Sequence, residues 1–170
     1  MEPKLVALKL VLDGVDAPVE HQTFDDRRII QKAVYLFQAA GVKLGYRFGW
    51  YIRGPYSTSL TKDYFALKSA IAVGDKDYEG KTAPEWVKEN LDKVKTLSSC
   101  PDEVANELDR GDWLELLASL HYLRTYGQDA ESARMTLARE KPRLAPFATI
   151  ANKKLSEAGL LSDNSHGHVG

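Results

Sequence analysis

Apolar positions recur at three- and four-residue spacing through most of the chain, a period that predicts helices. Leu5, Leu8 and Leu12 mark a short helix over 4–12, stopped by Asp13-Gly14, with Asp16-Ala17-Pro18 continuing the loop. Thr23 is a good N-cap for a helix over 24–40, and Asp25 and Asp26 sit in its electropositive first turn. Ile29, Ile30, Ala33, Val34, Phe37 and Ala40 form its core stripe, and Gly41 ends it. The period then changes to two. Residues 46–53, Tyr-Arg-Phe-Gly-Trp-Tyr-Ile-Arg, predict a single strand, broken by Gly54-Pro55.

Helical spacing resumes after Ser57 or Ser59, either of which can cap a helix carrying Leu60, Tyr64, Leu67 and Ile71. Gly74 to Gly80 reads as a polar loop, and Thr82 with Glu85 as a capping box for a helix burying Val87, Leu91 and Val94. Asp112 with Glu115 repeats the device ahead of Leu116, Leu117, Leu120 and Leu123, and Gly127 stops that helix. Asp129 opens another, which Pro142 terminates; Pro146 opens the last, and Gly159 closes it. The fold class expected is mainly α with a minor strand element: a single compact helical domain over 1–161, winged-helix-like, followed by a polar tail, 162–170, expected to be disordered. Neither an internal repeat nor a low-complexity segment interrupts it.

A chain of 170 residues suits one domain, large enough to need no metal or disulfide staple. No apolar run is long enough to span a membrane. The start, Met1-Glu2-Pro3-Lys4, lacks the features of a secretory signal, and the lone Cys100 cannot form an internal disulfide, so a cytoplasmic setting is expected. The formal net charge of −1 conceals segregation. Residues 27–68 carry eight basic side chains against Asp63 alone, whereas residues 69–115 carry six basic and twelve acidic ones. Blocks of this kind either disperse over a folded surface or present one basic face to nucleic acid or an acidic partner.

Candidate chemistry is sparse. His121 lies in a predicted helix without a His or Glu at metal-ligand spacing, and His166 and His168 lie in the tail. Cys100 precedes Pro101 near a helix start, where a thiolate would be favoured, but it suits a small buried hydrophobe as well. Asp102, Glu103, Glu107, Asp109, Asp112 and Glu115 read as first-turn and solvated-face charges. Gly41-Val-Lys-Leu-Gly45 lacks the ending of a phosphate-binding loop. No catalytic residue, metal or cofactor is expected.

The dense feature is 46–65, which holds seven of the sixteen aromatics (Tyr46, Phe48, Trp50, Tyr51, Tyr56, Tyr64, Phe65) interleaved with Arg47, Arg53 and Lys62. Cations beside rings suit nucleic acid, neutralising phosphates and stacking on unpaired bases. They suit a protein-binding hot spot equally well. Alternation also allows Tyr46, Phe48 and Trp50 to be core, leaving Tyr51 and Tyr56, which bracket the Gly-Pro turn, as the functional pair.

Lys32-Ala-Val-Tyr-Leu36, followed by a strand and Tyr51-Ile-Arg-Gly-Pro-Tyr-Ser57, resembles the small bacterial YwgA-like family and, more distantly, the Panacea domain of toxin–antitoxin systems. Trp113 to Leu123 and the Lys141-Pro142 turn extend the likeness over roughly residues 24–160. The resemblance implies a non-enzymatic protein of prokaryotic defence or regulation, a fold able to neutralise a partner protein, and no catalytic residues. Separately, the helix–turn–helix run 129–161 ending in Leu-Ser-Glu-Ala-Gly-Leu-Leu looks like winged-helix regulators, in which Thr149, Asn152, Lys153 and Lys154 would face a groove.

The leading expectation is a defence or antitoxin-type regulator that binds nucleic acid through Arg27, Arg28, Lys32, Arg47, Trp50, Tyr51, Arg53, Gly54, Pro55, Tyr56, Ser57 and Lys62. The alternative is a protein–protein module anchored by Trp50, Tyr51 and Tyr56 with a basic rim. A third is an enzyme assembling a site from distant residues such as His121 and a carboxylate.

Overall fold

The computed structural model describes residues 1–20 and 23–162. His21, His166, His168 and nearly all of the polar tail lie outside the described residues. Eight helices are present among those described: α1 (Pro3–Gly14), α2 (Phe24–Ala39), α3 (Thr58–Ala72), α4 (Glu85–Leu97), the single turn α5 (Asp102–Ala105), α6 (Arg110–Thr125), α7 (Ala130–Glu140) and α8 (Ala148–Glu157). Two short strands, β1 (Gly49–Tyr51) and β2 (Gly54–Tyr56), pair antiparallel between α2 and α3. The mainly α class with a minor strand element is the observed one.

The helix ends follow local chemistry. Thr23 accepts from Asp26 N while the Asp26 carboxylate receives Thr23 N–H, a reciprocal capping box that starts α2. Ser57 caps α3 through Leu60 N, and Asp129 caps α7 through Ser132 N. Two expectations are corrected. Pro84 rather than Thr82 precedes α4; its side chain has no acceptor, and its carbonyl receives the N–H groups of Val87 and Lys88 instead. The box of α6 is Asp109 with Asp112, one turn before the pair expected from Asp112 and Glu115.

α6 is the axis of the molecule. Every residue from Gly111 to His121 is buried, and α2, α7, α8 and β2 all pack on it. Trp113 is fully buried with its indole N–H donating to Leu97 O at 2.9 Å, tying α6 to the end of α4. Leu8, Leu12, Ile30, Val34, Phe37, Leu60 and Leu67 complete one continuous core.

The strand expected over 46–53 is instead half of a hairpin. Gly54 does not end the sheet; it opens the return strand, pairing with Tyr51, while Trp50 faces Pro55 and Gly49 faces Tyr56. The physical reason is the backbone at Gly54, which is left-handed (φ +86) and reverses the chain within two residues. Gly54 also lies against α6 so closely that an added Cβ would meet Ser119 Oγ at 2.4 Å. Gly54→Ala therefore incurs both the left-handed backbone penalty and a clash with a buried helix. We expect it to lower unfolding free energy by about 2 kcal/mol or more. Gly45→Ala, at φ +87 with nothing within 4 Å of the added carbon, should lose about 1 kcal/mol. Urea denaturation of the two variants measures the difference, and equal losses would contradict the close packing of Gly54 on α6.

Candidate functional site: a hairpin seated on a buried polar seam

Along α2, Arg28, Lys32 and Tyr35 fall at spacings of four and three, on one face; along α6, Asp112, Glu115 and Ser119 do the same. The two faces meet. Arg28 reaches Asp112 at 3.0 Å and Glu115 at 3.8 Å, and also pairs with Asp25 at 2.5 Å. Arg143, beyond α7, pairs with Asp112 from the solvent side. Lys141, at the end of α7, lies 3.4 Å from Glu115, both side chains being about 5% exposed. Further along the seam, Tyr35 Oη lies 2.8 Å from His121 Nδ1. Gly111 makes room for this arrangement, since a Cβ there would sit 2.5 Å from both Arg28 Nη2 and Asp25 Oδ1.

The hairpin sits on this seam and is held through its own carbonyls. Lys32 Nζ donates to Pro55 O at 2.6 Å, and Lys141 Nζ donates to Ile52 O at 2.7 Å. Gln31 clasps Ser57 from both sides, accepting its N–H at 2.9 Å and donating to its carbonyl at 3.0 Å. Trp50 stacks on Tyr122 of α6 with ring centres 5.6 Å apart, and Lys141 Nζ lies 5.5 Å from the Trp50 ring. A two-stranded hairpin of this length has little stability of its own in water, so these buried donors fix its position.

What the hairpin presents outward is apolar and cationic. Ile52, at the tip, is 90% exposed, and Tyr51 and Arg53 beside it are exposed too. Tyr51 and Tyr56 meet edge to face, 5.3 Å apart, and Arg53 lies over the ring of Phe24 at 5.4 Å. Between the hairpin and the start of α2 is a cavity of about 330 Å³, walled by Phe24, Tyr51, Ile52, Tyr56 and Tyr64 and by the basic side chains of Arg27, Arg28, Lys32 and Arg53.

Several residues expected on a binding surface have other places. Lys32 is 1% exposed and belongs to the seam, not to an outer face. Arg28 is enclosed by four carboxylates, Asp25, Asp109, Asp112 and Glu115, and Gly54, Pro55 and Ser57 are buried, contributing backbone rather than contact surface. Trp50 is half-buried against Tyr122. Arg27, Tyr51, Arg53 and Tyr56 do converge on the cavity. Lys62 is exposed on α3 outside it, and Arg47 lines a different cleft, of about 430 Å³, with Tyr35, Tyr46 and His121. On α8, Asn152 accepts from Arg124 at 2.9 Å, Lys153 and Lys154 face Glu157, and Thr149 is exposed. The hairpin precedes α3 and packs on α2 and α6, so it does not follow α8 as a wing would.

Asp112 and Glu115, expected on a solvated face, are each 4% exposed. A detectable signal existed: two carboxylates and a serine at helical spacing inside an otherwise apolar helix mark a buried polar stripe, not a surface. Electrostatics follow from the pairing. Burial alone would raise the Asp112 carboxyl, but hydrogen bonds from Arg143 and Arg28 outweigh it and hold its pKa below the usual range. Burial likewise opposes the Arg28 charge, and bonds to Asp25 and Asp112 restore it. Lys32 has no such carboxylate in contact, and burial lowers its pKa to about 7.

The remaining reactive groups are quiet. Burial lowers the pKa of His121, and the ring is engaged by Tyr35 and by the Leu160 backbone. Burial, then the charges of Asp109 and Asp112, push the Cys100 thiol up, away from a thiolate. Cys100 lines a cleft of about 900 Å³ between α4, α5 and α8, whose rim is rich in carboxylates. Among the described residues no cluster of His, Cys, Asp and Glu could hold a metal ion, and no helix is long and apolar enough to cross a membrane. Comparison with protein-family models, curated proteins and solved structures finds no significant match.

The buried lysine gives the fold a pH signature. Below about pH 7 Lys32 is protonated whether the chain is folded or not, and its buried charge opposes folding in full. Between about 7 and the ordinary 10.5, the unfolded chain retains a proton that the folded one has lost, so stability rises with pH. Burial lowers Lys141 too, adding in the same direction. The depressed His121 acts in a separate, lower window, below 6.5. Burial raises Tyr35 and Tyr46, and stability falls again above their ordinary value of 10.0. Unfolding free energies from urea titrations should climb from about pH 7 to about pH 10, and Lys32→Met should remove the larger part of that climb. An unchanged pH profile in the variant would exclude a buried, deprotonating Lys32.

Proposed function

We propose that this chain is a non-catalytic protein-binding module whose docking element is the outer face of the 49–56 hairpin. The observation that carries the reading is Ile52, an aliphatic β-branched side chain 90% exposed at the tip of a hairpin anchored from below by Lys141 and Lys32. Isolated exposed hydrophobes are ordinary. Here Ile52 is joined by Tyr51, Phe24 and Arg53 around one cavity, a grouping of aromatic, aliphatic and arginine anchors typical of interface hot spots. Prior anchoring of the hairpin lowers the ordering cost of binding, which is where rigid recognition elements gain affinity. The role fits the neutralising module that the likeness to the Panacea domain implies.

Protein is favoured over nucleic acid for three reasons. Ile52 offers no ring to a base. Tyr51 and Tyr56 meet at 68°, edge to face, rather than offering two parallel faces for stacking. Of the basic block, Arg28 and Lys32 are turned inward, which removes two of the expected phosphate contacts. The non-catalytic part of the reading is supported by the engaged His121, the protonated Cys100 and the cation-paired buried carboxylates.

Photo-cross-linking in cells of the source organism tests the reading, with benzoylphenylalanine in place of Ile52 and, as control, in place of Met135, exposed on α7. We expect a discrete protein adduct from position 52 and none of that mass from position 135. With the captured partner purified, Ile52→Asp should weaken binding roughly 30-fold or more, the scale of one lost hot spot, with stability changed by less than about 0.5 kcal/mol. Absence of a position-specific protein adduct, together with salt-dependent binding of nucleic acid lost in an Arg47/Arg53/Lys62→Ala variant, would replace this reading with the nucleic-acid one.

A further inference from the structure

We infer that the hairpin cavity receives an apolar anchor side chain carried on an acidic segment of the partner, an inference that rests on the docking reading above. Four basic residues line the cavity, Arg27, Arg28, Arg53 and Lys32, the last of which loses its charge above about pH 7, and no carboxylate contributes to its walls. Apart from Gln31, whose amide is engaged by Ser57, the rest of the wall is aromatic or aliphatic, which gives an incoming chain a largely apolar interior and a positive rim. Arg53 is the outermost of these cations, exposed beside Ile52 and placed over Phe24, so it is set to meet a charge arriving at the tip.

Charge complementarity selects the sign. A Lys- or Arg-flanked anchor would be carried against these cations, and like charges brought together at an interface are strongly unfavourable. An Asp- or Glu-flanked anchor would find Arg53 at the rim. The two inner cations shape the requirement differently. Arg28 is already balanced by Asp112 and Asp25, so it supports the wall without demanding a new anion. Lys32 is tied to Pro55 O and supplies only the floor. The acidic partner group therefore belongs at the rim and the apolar one inside. A volume of about 330 Å³, at the small end for ligand pockets, suits one large side chain with its flanking backbone rather than a whole helix. The cleft at α4 and α8, on other elements, carries more carboxylates than cations and disfavours the same segment.

The test selects from random dodecapeptides displayed on phage, with the full chain as bait and Ile52→Asp as counter-selection. Enriched peptides should carry an aromatic or large aliphatic residue flanked by Asp or Glu. In fluorescence anisotropy, exchanging those acids for Asn or Gln should weaken a labelled peptide roughly tenfold, and Arg53→Glu should weaken the acidic form by at least as much. Affinity should also fall with added salt. Peptides that need Ile52 but show no acidic excess, or that bind the Arg53→Glu protein equally well, would overturn the acidic assignment while leaving the docking element intact. If no enriched peptide depends on Ile52, the docking reading itself fails, and the inference fails with it.

Discussion

The polar contact between α2 and α6 is the constraint from which the rest of this molecule follows. Two helices that form the centre of a small domain would ordinarily meet through apolar stripes, and the core around them is apolar, with Ile30, Val34, Leu116 and Leu120 all buried in it. Down one side runs a line of polar groups instead: Arg28 on Asp112 and Glu115, Lys32 beneath the hairpin, Tyr35 on His121. Buried ion pairs rarely out-stabilise an apolar packing of equal volume, because desolvation cancels much of the attraction. Their use here is geometric. Salt-bridged and hydrogen-bonded side chains couple α2 to α6 at defined positions, which places the Lys32 amine at Pro55 O, while Glu115 of α6 holds Lys141, at the end of α7, against Ile52 O.

Those two carbonyls explain why a three-residue strand pair can stand at the surface of a helical protein. Cross-strand bonding in so short a ladder leaves the turn with few partners of its own. Lys141 takes one turn carbonyl and Lys32 the next, Gln31 closes the exit at Ser57, and Trp50 anchors the first strand on Tyr122. The inward side of the hairpin thereby holds its anchoring contacts, and its outward side, Tyr51, Ile52 and Arg53, stays exposed. Exposed side chains on a well-anchored element are what the proposed docking requires.

Much of the architecture was legible in the sequence, and what was not has identifiable causes. Helix positions came through because capping residues and helical periodicity are local: Thr23 and Asp26, Ser57, Asp129 and Gly127 act within four residues of themselves. The return strand was hidden because Gly54-Pro55 has the composition of a break, and only contact with Ser119 of α6 makes it a pairing segment. The seam was hidden for a related reason. A carboxylate at 112 or 115 looks the same in sequence whether a solvent shell or Arg28 surrounds it, since its partner is more than eighty residues away. Tyr51 and Tyr56 were legible as a pair from their positions astride the turn, whereas Ile52 between them carries no chemical signature. Its importance comes from exposure alone, and exposure is a property of the folded molecule.

Segregated charge acquires a different meaning once the seam is known. Residues 27–68 hold a large basic excess in sequence, and the acidic block 69–115 includes the very carboxylates that absorb part of it. Arg28 and Lys32 are drawn inward by Asp112, Glu115 and the hairpin carbonyls, so the basic face that remains is smaller than the sequence suggests and more local. A polyanion surface needs many dispersed phosphate contacts, because each contributes a modest, salt-sensitive increment. A few cations around one apolar cavity make a poor track for a nucleic-acid backbone but an effective collar for a single anchor. On the proposed reading, the internal pairing that anchors the hairpin thus also narrows what the hairpin would recognise, and one set of buried polar groups sets both properties.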